Sequence, residues 1–579
     1  MYTVLKTMLC ALLSLIPVTG IFAQGYLRAS GQQIVNEKGG NVLLRGIGLG
    51  GWMLQEGYML RVPREGQQYR IKERIAELVG AEKTQAFYDA WLANHTTRAD
   101  IEAMKKWGFN SVRLPMHFNL YTLPADKEPV AGQDTWIEKG FTMTDSLLAW
   151  CKDNGIYLIL DLHAAPGGQG NDFNISDRDG SKPSLWEDER HQRKTVALWR
   201  KLAERYKNEP WIGAYDIINE PNFGFTDPKG DKNGTKEKDN SRLRKLMVEI
   251  TAAIREVDQN HIVIIEGNGW GNNYNGVLPL WDKNMVMSFH KYWNYNDEKS
   301  IAHILRYRQE NNVPVWIGET GENSNVWFTE AIRLMETNNI GWAWWPLKKI
   351  GINNPLEVKN NANYQQVLAY WLNNSNLKPS ADSAYQGLME LANATNFRNN
   401  VPHKDVLDAM LRQPANPEAV PYAKVDVKKG VVIPAAEYDL GANGYAYYDM
   451  DTANYRVSNP NHTGGNRGGA FRNDGVDIRR EEGGFAIVNI EKGEWLQYTV
   501  NVPKKASFTV KLLVSAGKEG GSIQLLGDGG TPLAPAKNIA VKEGWQELEI
   551  PNVSLKKGEQ TLRLLADTGG YSLKEIRFE

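Results

Sequence analysis

The chain has 579 residues, of which 42% are hydrophobic, and its 67 Lys and Arg almost balance its 68 Asp and Glu. This length predicts more than one domain, and the composition excludes a disordered or fibrous protein. The formal net charge of −1 argues against a protein that coats nucleic acid or an anionic membrane. Trp outnumbers Phe by 19 to 15, which indicates a use for flat aromatic faces beyond packing.

The first residues have the pattern of a secretory signal. Lys6 is positively charged, residues 8–18 form an apolar run too short to span a bilayer, and Ala23 offers a cleavage site. We therefore predict a signal peptide over residues 1–23 and a secreted protein, extracellular or periplasmic, without membrane insertion. A buried N-terminal helix is the alternative. Cleavage would leave Cys151 as the one cysteine, so we expect no internal disulfide.

Apolar segments rich in β-branched and aromatic residues then alternate with amphipathic helical segments. The predicted strands are residues 42–50, 111–117, 157–163, 214–219, 261–266, 285–290, 313–319 and 341–346. The predicted helices are residues 98–107, 142–154, 193–206, 242–257, 301–310, 328–337, 367–371 and 384–391. This alternation predicts an α/β fold, a parallel (β/α)8 TIM barrel, with an open doubly wound sheet as the alternative. Residues 33–43 predict a hairpin ahead of the barrel, with its turn at residues 38–40.

The pattern changes after about residue 414. Pro414, Pro417 and Pro421 indicate a linker, and beyond Gly430 short strands alternate with Gly-rich turns. The predicted strands there are residues 485–490, 495–500, 508–514, 523–526, 546–550 and 560–565. This pattern predicts an all-β jelly-roll sandwich. The predicted organisation is a signal peptide at 1–23, a barrel domain at 24–413, a linker at 414–429 and a sandwich at 430–579.

Polar residues follow several of the predicted barrel strands. The active site of such a barrel lies at the C-terminal ends of its strands. The residues at those ends are Arg113, His163, Asn219, Glu220, His290, Tyr292, Glu319 and Trp345. Glu220 and Glu319 end two different strands, so we expect both carboxylates in one cavity, which suits cleavage of a glycosidic bond. A buried structural ion pair is the alternative for either glutamate.

These motifs resemble glycoside hydrolase family 5, the large cellulase-type family of retaining enzymes. The similarity spans residues 26–413 and rests on Asn219-Glu220-Pro221, Gly318-Glu319, His290-x-Tyr292, Arg113-x-Pro115 and Leu162-His163. It implies that Glu220 is the general acid/base and Glu319 the nucleophile, with no cofactor needed for catalysis. It further implies that Asn219 binds the sugar 2-hydroxyl, and that Arg113 and Tyr292 hold Glu319. His163 and His290 would line the cleft and orient the acid/base side, and Trp345 would be the stacking floor.

Several residues near the strand ends have two possible interpretations. Glu56 and Glu266 are candidate substrate contacts, and Trp52, Trp270, Trp293 and Trp344 are either sugar platforms or packing residues. The glycines at 46, 48, 50 and 51 match a dinucleotide-binding pattern, but no helix opens there, so we assign no nucleotide. The motif that begins at Leu162-His163 also resembles the exo-β-1,3-glucanase branch of the same family, which leaves the linkage open.

Residues 433–578 resemble carbohydrate-binding module family 6. The similarity rests on Ala436-Glu437-Tyr438, Tyr447-Tyr448-Asp449 and the motifs at 471–478 and 493–498. It implies a sandwich that often holds a structural calcium, with Glu437 among the ligands, and a loop cleft that grips sugar between two aromatic rings. Trp545 fits one ring, whereas Asn489 stands at the other position and Ser572 replaces a binding Asn, with Tyr571 beside it. Sugar binding by this cleft and a role as an interdomain buttress both stay open.

The combined prediction is a secreted retaining β-glucanase, an endo-β-1,4-glucanase first. The alternatives are β-1,3-, β-1,6- or mixed-linkage glucan, including exo-attack, and then mannan or xyloglucan. Transglycosylation would use the same residues, and a non-catalytic polysaccharide-binding protein is the alternative of another class. We expect a polysaccharide partner, no nucleic acid and a monomer.

Overall fold

The computed structural model describes residues 25–454, 465–518 and 520–579, so the predicted signal peptide lies outside the described residues. The chain begins with a two-stranded antiparallel sheet of β1 (Arg28–Ser30) and β2 (Gln33–Val35). The predicted turn is present, because the Asn36 side chain accepts hydrogen bonds from the backbone of Lys38 and Gly40. The turn leads into an isolated bridge between residues 35 and 41, and the chain then continues into the first barrel strand.

Eight parallel strands form a closed barrel. They are β3 (Arg45–Gly48), β4 (Ser111–His117), β5 (Tyr157–Ala164), β6 (Ile212–Asp216), β7 (Ile262–Glu266), β8 (Met285–Lys291), β9 (Val315–Gly321) and β10 (Gly341–Trp345). The last strand pairs with the first, Trp342 opposite Arg45, which excludes the open doubly wound sheet. The predicted TIM barrel is therefore confirmed, and its strands are buried along almost their whole length.

Helices cover the outside of the barrel and extend beyond it. They are α1 (Gln68–Val79), α2 (Ala81–His95), α3 (Arg98–Trp107), α4 (Glu138–Asn154), α5 (Phe173–Ser176), α6 (Glu189–Tyr206), α7 (Ser241–Arg255), α8 (Asn268–Gly271), α9 (Glu298–Asn311), α10 (Asn325–Thr337), α11 (Ala362–Trp371), α12 (Ala381–Ala394) and α13 (Lys404–Leu411). Local signals set several ends: α3 begins at a capping box of Thr97 and Asp100 and ends at Gly108, whose φ is 108°.

Helices α1 and α2 occupy the long segment between β3 and α3. They pack with α11 and α12 around an apolar cluster separate from the barrel core. The cluster also takes in Leu60 and Ile350, from the segments that follow β3 and β10. These four helices, here called the side layer, therefore cover one flank of the barrel mouth. The side layer brings together residues about 300 positions apart in the chain, and hydrophobic periodicity alone does not predict contacts between them.

The C-terminal region forms two antiparallel sheets. A small sheet of β11 (Lys348–Lys349), β12 (Leu356–Glu357) and β13 (Val401–Pro402) precedes it. The remaining strands are β14 (Val432–Pro434), β15 (Tyr447–Tyr448), β16 (Ile478–Glu481), β17 (Gly484–Ile487), β18 (Trp495–Val502), β19 (Ala506–Ala516), β20 (Gly521–Leu526), β21 (Lys537–Ile539), β22 (Gln546–Leu555), β23 (Gly558–Thr568) and β24 (Tyr571–Phe578). Their alternating side chains enclose one apolar core, so the predicted all-β sandwich is confirmed.

The segment predicted as a linker packs against the sandwich rather than standing free. Val420 forms a bridge with Leu440, and Val427 is buried in the core of the sandwich. The sandwich in turn contacts the barrel, since Asp405 Oδ2 accepts from Asn325 Nδ2 at 2.7 Å and from the Asn473 backbone at 2.8 Å. None of the described helices combines the length and the apolarity that a membrane crossing requires.

Candidate active site

Glu220 and Glu319 lie together at the C-terminal end of the barrel. Glu319 is on β9, and Glu220 follows β6 with a φ of 42°, a strained value for a residue with a side chain. One carboxylate oxygen of each glutamate and a ring nitrogen of His290 lie within 4.8 Å of one another. The two glutamates line a cavity of ≈ 620 Å³. Two carboxylates at one cavity are the arrangement that the strand ends predict.

Arg113 stands at the centre of a buried charge cluster below this cavity. Its guanidinium lies 2.5 Å from Glu319, 2.8 Å from Asp216, 3.2 Å from Glu266 and 3.3 Å from Asp161. Burial opposes the charge of Arg113, but the surrounding carboxylates raise its pKa well above the usual value. The guanidinium therefore stays charged and compensates several carboxylates that no solvent reaches.

Two donors hold the Glu319 carboxylate. Arg113 Nη1 donates to Oε1 at 2.5 Å, and the Tyr292 hydroxyl donates to Oε2 at 3.3 Å. Burial, together with the charge of Glu319, raises the pKa of Tyr292 well above its usual value, so the hydroxyl keeps its proton. One carboxylate oxygen therefore faces a guanidinium and the other a phenol, which orients the group toward the cavity.

Glu220 has a different environment. His290 Nδ1 lies 2.6 Å from Glu220 Oε1, and the Glu220 backbone donates to Glu266 Oε2 at 2.7 Å. Burial raises the pKa of Glu220 to about 7, and the nearby His290 opposes this shift. Burial also opposes protonation of His290, but the charges of Glu266, Glu319 and Glu220 raise its pKa well above the usual value. Glu220 is thus a carboxyl group that can carry a proton near neutral pH.

His163 lies on the other side of the site from His290. Its Nδ1 is 2.8 Å from Asp161, its ring stacks on Trp345 at 5.1 Å and its Nε2 is 3.5 Å from Glu56. Burial opposes its protonation, while the charge of Asp161 and its hydrogen bonds raise the pKa of His163 to about 10. The structure therefore places His290 against Glu220, and His163 on the Trp345 side.

Asn219 and Trp545 lie outside the lining of the cavity. Asn219 is fully buried, accepts from Arg113 Nη2 at 2.8 Å and places Nδ2 3.4 Å from His163 Nε2. Its contact with a sugar 2-hydroxyl stays a prediction. Trp545 is half-buried in the sandwich, with Lys574 Nζ 5.7 Å from its ring, so it does not share the barrel cavity.

Trp345 lines the cavity against a floor of glycines. A Cβ atom at Gly48 would lie 2.5 Å from Trp345 Cε3, and one at Gly50 would lie 2.6 Å from Cζ2. The indole nitrogen donates to the Tyr58 hydroxyl at 2.9 Å. The glycine pattern after the first strand, which resembled a nucleotide-binding motif, therefore admits this indole ring. Side chains larger than hydrogen would displace it.

The other candidate aromatic platforms divide into two groups. Trp270 and Trp293 line the cavity, and Trp293 is 40% exposed. Trp52 is buried and donates to the Leu92 carbonyl, while Trp344 is fully buried and packs edge-on against Phe328. Two of the four candidates can therefore meet a sugar, and the other two are packing residues.

Several polar residues of the site are not among the residues that strand-end position predicted. Asp161 and Asp216 are buried partners of Arg113, and the signal was a carboxylate inside an apolar strand, which needs a buried partner. Gln169 donates to the carbonyls of His163 and Asn219. Glu266, a candidate substrate contact, is fully buried. By contrast, the cavity lining includes Glu56, the other such candidate, as well as Tyr58 and Glu322, for which no local pattern was available.

The predicted features of the sandwich receive little support from its geometry. Glu437 is half-buried, and among the described residues it belongs to no group of three acidic or His side chains close enough to share an ion. The structural calcium stays a prediction. Asn489 donates to Asp477, and Tyr571 is buried in the core, so it offers no face to a sugar.

Comparisons with known proteins match both domains. Residues 72–350 match the cellulase family, glycosyl hydrolase family 5, and residues 470–579 match carbohydrate binding module family 6. A beta-xylosidase from Phanerodontia chrysosporium is 29% identical over 384 residues, which is 60% of this chain and 76% of its own length.

Two further relatives match shorter parts of the chain. Endoglucanase C from Acetivibrio thermocellus is 31% identical over 210 residues, 36% of this chain and 53% of its own length. A probable glucan 1,3-beta-glucosidase A from Aspergillus clavatus is 26% identical over 263 residues, 44% of this chain and 57% of its own length. The chain thus spans about half the length of these two relatives. The resemblance in the motifs is confirmed: residues 72–350 match glycosyl hydrolase family 5 and residues 470–579 match carbohydrate binding module family 6, so the chain joins a domain of the glycoside hydrolase type to a module of the carbohydrate-binding type.

Proposed function

We propose that the chain is a retaining β-glucanase that works by double displacement, with Glu319 as nucleophile and Glu220 as general acid/base. The observation that carries this proposal is the pair of carboxylates within 4.8 Å at one cavity, in opposite environments. A guanidinium compensates Glu319, whereas burial raises the pKa of Glu220 to about 7. The short gap favours retention, because inverting enzymes separate the carboxyl groups by roughly 6.5–9.5 Å to admit a water.

In the first step a Glu319 oxygen attacks the anomeric carbon while Glu220 gives its proton to the glycosidic oxygen. The C–O bond to the leaving sugar breaks, and a glycosyl ester forms on Glu319. In the second step Glu220, now a carboxylate, removes a proton from water as the water oxygen attacks the same carbon. The ester bond breaks, Glu319 is released as carboxylate and Glu220 regains its proton.

The proposed substrate is a β-glucan. The cellulase family match and the relatives named as an endoglucanase and a glucan 1,3-beta-glucosidase support it. We propose the β-1,4 linkage first, followed by β-1,3, β-1,6 and mixed linkages, and then mannan and xyloglucan. The relative named as a beta-xylosidase adds β-xylosides to the panel of substrates that a test should include. A sugar acceptor in place of water would give transglycosylation on the same residues.

The test is to assay hydrolysis of this panel of substrates by the purified protein and to identify the anomer of the first product by NMR. We expect the β-anomer first, loss of turnover in Glu319→Gln, and a roughly 10²- to 10⁴-fold loss in Glu220→Gln. The rate of hydrolysis of aryl glycosides with good leaving groups should fall less in Glu220→Gln, because such a leaving group departs without a proton. The exposed Glu249→Gln serves as the matched control. An active Glu319→Gln protein, or an α-anomer as first product, would contradict the mechanism.

We propose export from the signal pattern of residues 1–23, which lie outside the described residues. The appended carbohydrate-binding module supports an extracellular polysaccharide as partner. N-terminal sequencing of the mature protein tests this, with Gln24 expected as the first residue. An intact Met1 on exported protein would contradict cleavage. The monomeric state is likewise a prediction, which light scattering measures.

A further inference from the structure

We propose that the enzyme attacks chain ends, removing sugars from the non-reducing end. The carrying observation is a polar wall beyond Trp345, here called the end wall: Glu56, Tyr58 and Glu322 line the cavity, and Lys349 lies behind them, paired with Glu322. This inference rests on the proposed roles of Glu319 and Glu220. It selects exo-attack over the mid-chain attack that the sequence favoured.

The end wall is one connected group of side chains. Lys349 Nζ lies 2.6 Å from Glu322 Oε1 and 5.6 Å from the Tyr58 ring, and Tyr58 accepts from Trp345. Glu56 lies 3.5 Å from His163, whose ring stacks on Trp345. The four residues therefore stand on the Trp345 side of the cavity.

Protein fills the space behind the end wall. Glu56 is 6% exposed and Lys349 is 8% exposed, and both border a void of only ≈ 10 Å³. The far side of that void is lined by Leu60 and Ile350, which belong to the apolar cluster of the side layer. A polysaccharide passing through this side would have to displace packed helices, so the cavity ends here.

The opposite side of the cavity faces solvent and adjoins the proposed acid. Trp270 donates its backbone N–H to the Pro221 carbonyl, next to Glu220, and Trp293 on the same lining is 40% exposed. The acid protonates the leaving oxygen, so the leaving chain extends toward Trp270. The sugar that forms the ester on Glu319 therefore lies between Trp345 and the end wall, with its non-reducing hydroxyls at the wall.

The chemistry of the end wall fits a terminal sugar. The oxygens of Glu56, Tyr58 and Glu322 can all accept hydrogen bonds from sugar hydroxyls. A terminal sugar keeps every hydroxyl, whereas a sugar inside a chain has one replaced by a glycosidic oxygen without a proton. Placing that oxygen at the end wall would lose the hydrogen bonds that a free hydroxyl donates, and the chain beyond it would meet packed side chains, so a sugar inside a chain is disfavoured. Lys349 acts as a positioning residue, because it holds Glu322.

Early product analysis tests the inference. With the best polysaccharide of the panel, we expect one short product of constant length from the first minutes and a viscosity that falls slowly. An oligosaccharide whose non-reducing terminal hydroxyls are blocked by an acetal should be at least 100-fold poorer than the free one. Products of mixed length, rapid loss of viscosity or ready cleavage of the blocked substrate would overturn chain-end attack. Failure to hydrolyse any glycoside would instead overturn the proposed function.

Variants of the end wall sharpen the test. Glu322→Gln and Glu56→Gln should lose roughly 10- to 100-fold in kcat/KM on an aryl β-glycoside with a free end. Lys349→Met should raise KM at least 5-fold with kcat changed less than 3-fold, since it acts through Glu322. The exposed Lys245→Met is the control and should match the wild type. If Glu322→Gln and Glu56→Gln keep full kcat/KM while melting as the wild type does, the end wall does not bind the terminal sugar and the inference falls.

Discussion

At the scale of single residues, the site is organised by one arginine that no solvent reaches. Arg113 lies within 3.3 Å of four carboxylates, of which only Glu319 lines the cavity. Each charge is buried, so each would be costly alone, and the guanidinium with its several donors compensates them together. The same cluster extends through Glu266 to Glu220 and His290, and so it orients both proposed catalytic groups.

Replacing the arginine should therefore destabilise the barrel as well as stop turnover. Arg113→Met removes the cation and leaves carboxylates buried without a partner, for which we expect a loss of about 3–5 kcal/mol. Calorimetric unfolding of the barrel measures this, with the exposed Arg306→Met as the control. A variant that melts like the wild type would mean that the carboxylates are not charged together in the folded protein.

The environment of Glu220 predicts the pH dependence of turnover. Burial raises the pKa of Glu220 to about 7, and the acid step requires the protonated form. We therefore expect kcat/KM to fall as the pH rises through about 7. His290 opposes the raised pKa of Glu220, so in His290→Asn the fall of kcat/KM should move to higher pH, and the maximum value of kcat/KM should decrease. If kcat/KM falls at the same pH in His290→Asn as in the wild type, the fall is not due to Glu220.

At the scale of the elements, a strand and an aromatic ring determine each other. β3 carries glycines at 46 and 48, and Gly50 follows it; a packed strand would ordinarily avoid glycines because they lose backbone entropy and bury no side chain. Here the lack of a Cβ lets the Trp345 indole lie directly on the strand, where Tyr58 accepts its N–H. The strand thus gives up local stability to seat an aromatic surface in the cavity.

A single methyl group should disturb this contact. Gly48→Ala places a Cβ 2.5 Å from Trp345 Cε3, so we expect the ring to shift and a loss of about 1–3 kcal/mol. The expected kinetic effect is a higher KM with a smaller change in kcat. Gly40→Ala, in an exposed turn where the nearest atoms belong to the Asn36 side chain, is the control. Unchanged KM and melting temperature in Gly48→Ala would show that Trp345 can move without consequence.

At the scale of the whole molecule, the module is docked on the barrel through polar groups. Asp405 on α13 accepts from Asn325 on α10 and from the Asn473 backbone of the module, and Asn473 Nδ2 donates to the Asn323 carbonyl. Asn323 and Asn325 follow β9, the strand that carries Glu319. The module therefore supports the segment that follows β9, the strand of the proposed nucleophile. This contact favours a role of the module as an interdomain buttress.

Breaking this contact should loosen the two domains. Asp405→Ala leaves buried donors without an acceptor, and we expect a loss of about 1–3 kcal/mol together with faster proteolysis between residues 414 and 430. Calorimetry and limited proteolysis measure the two effects. The exposed Asp382→Ala is the control. Equal cleavage rates in both variants would mean that Asp405 does not hold the domains together.

Much of the barrel followed from local pattern. β4 and α3 have the bounds that their periodicity predicts, since an apolar run and a capping box are both local signals. α1 and α2 did not follow, because their apolar faces pack on α11 and α12, about 300 residues away. In the site, strand-end position predicted Glu220 and Glu319. The sequence placed His163 with His290 on the acid/base side, whereas its ring stacks on Trp345, because a strand end does not specify which neighbour a ring faces.

The sequence alone determined the order of strands, the two domains and the two carboxylates that meet at one cavity. These features depend on hydrophobic period, turn residues and the rule that parallel strands end on one face, all of which are local or topological. Only the tertiary structure decided which charges share Arg113, which tryptophans meet the cavity and where the cavity ends. Those features depend on contacts between residues far apart in the chain, such as Glu322 with Lys349 and the side layer behind them, and a linear pattern does not record such contacts.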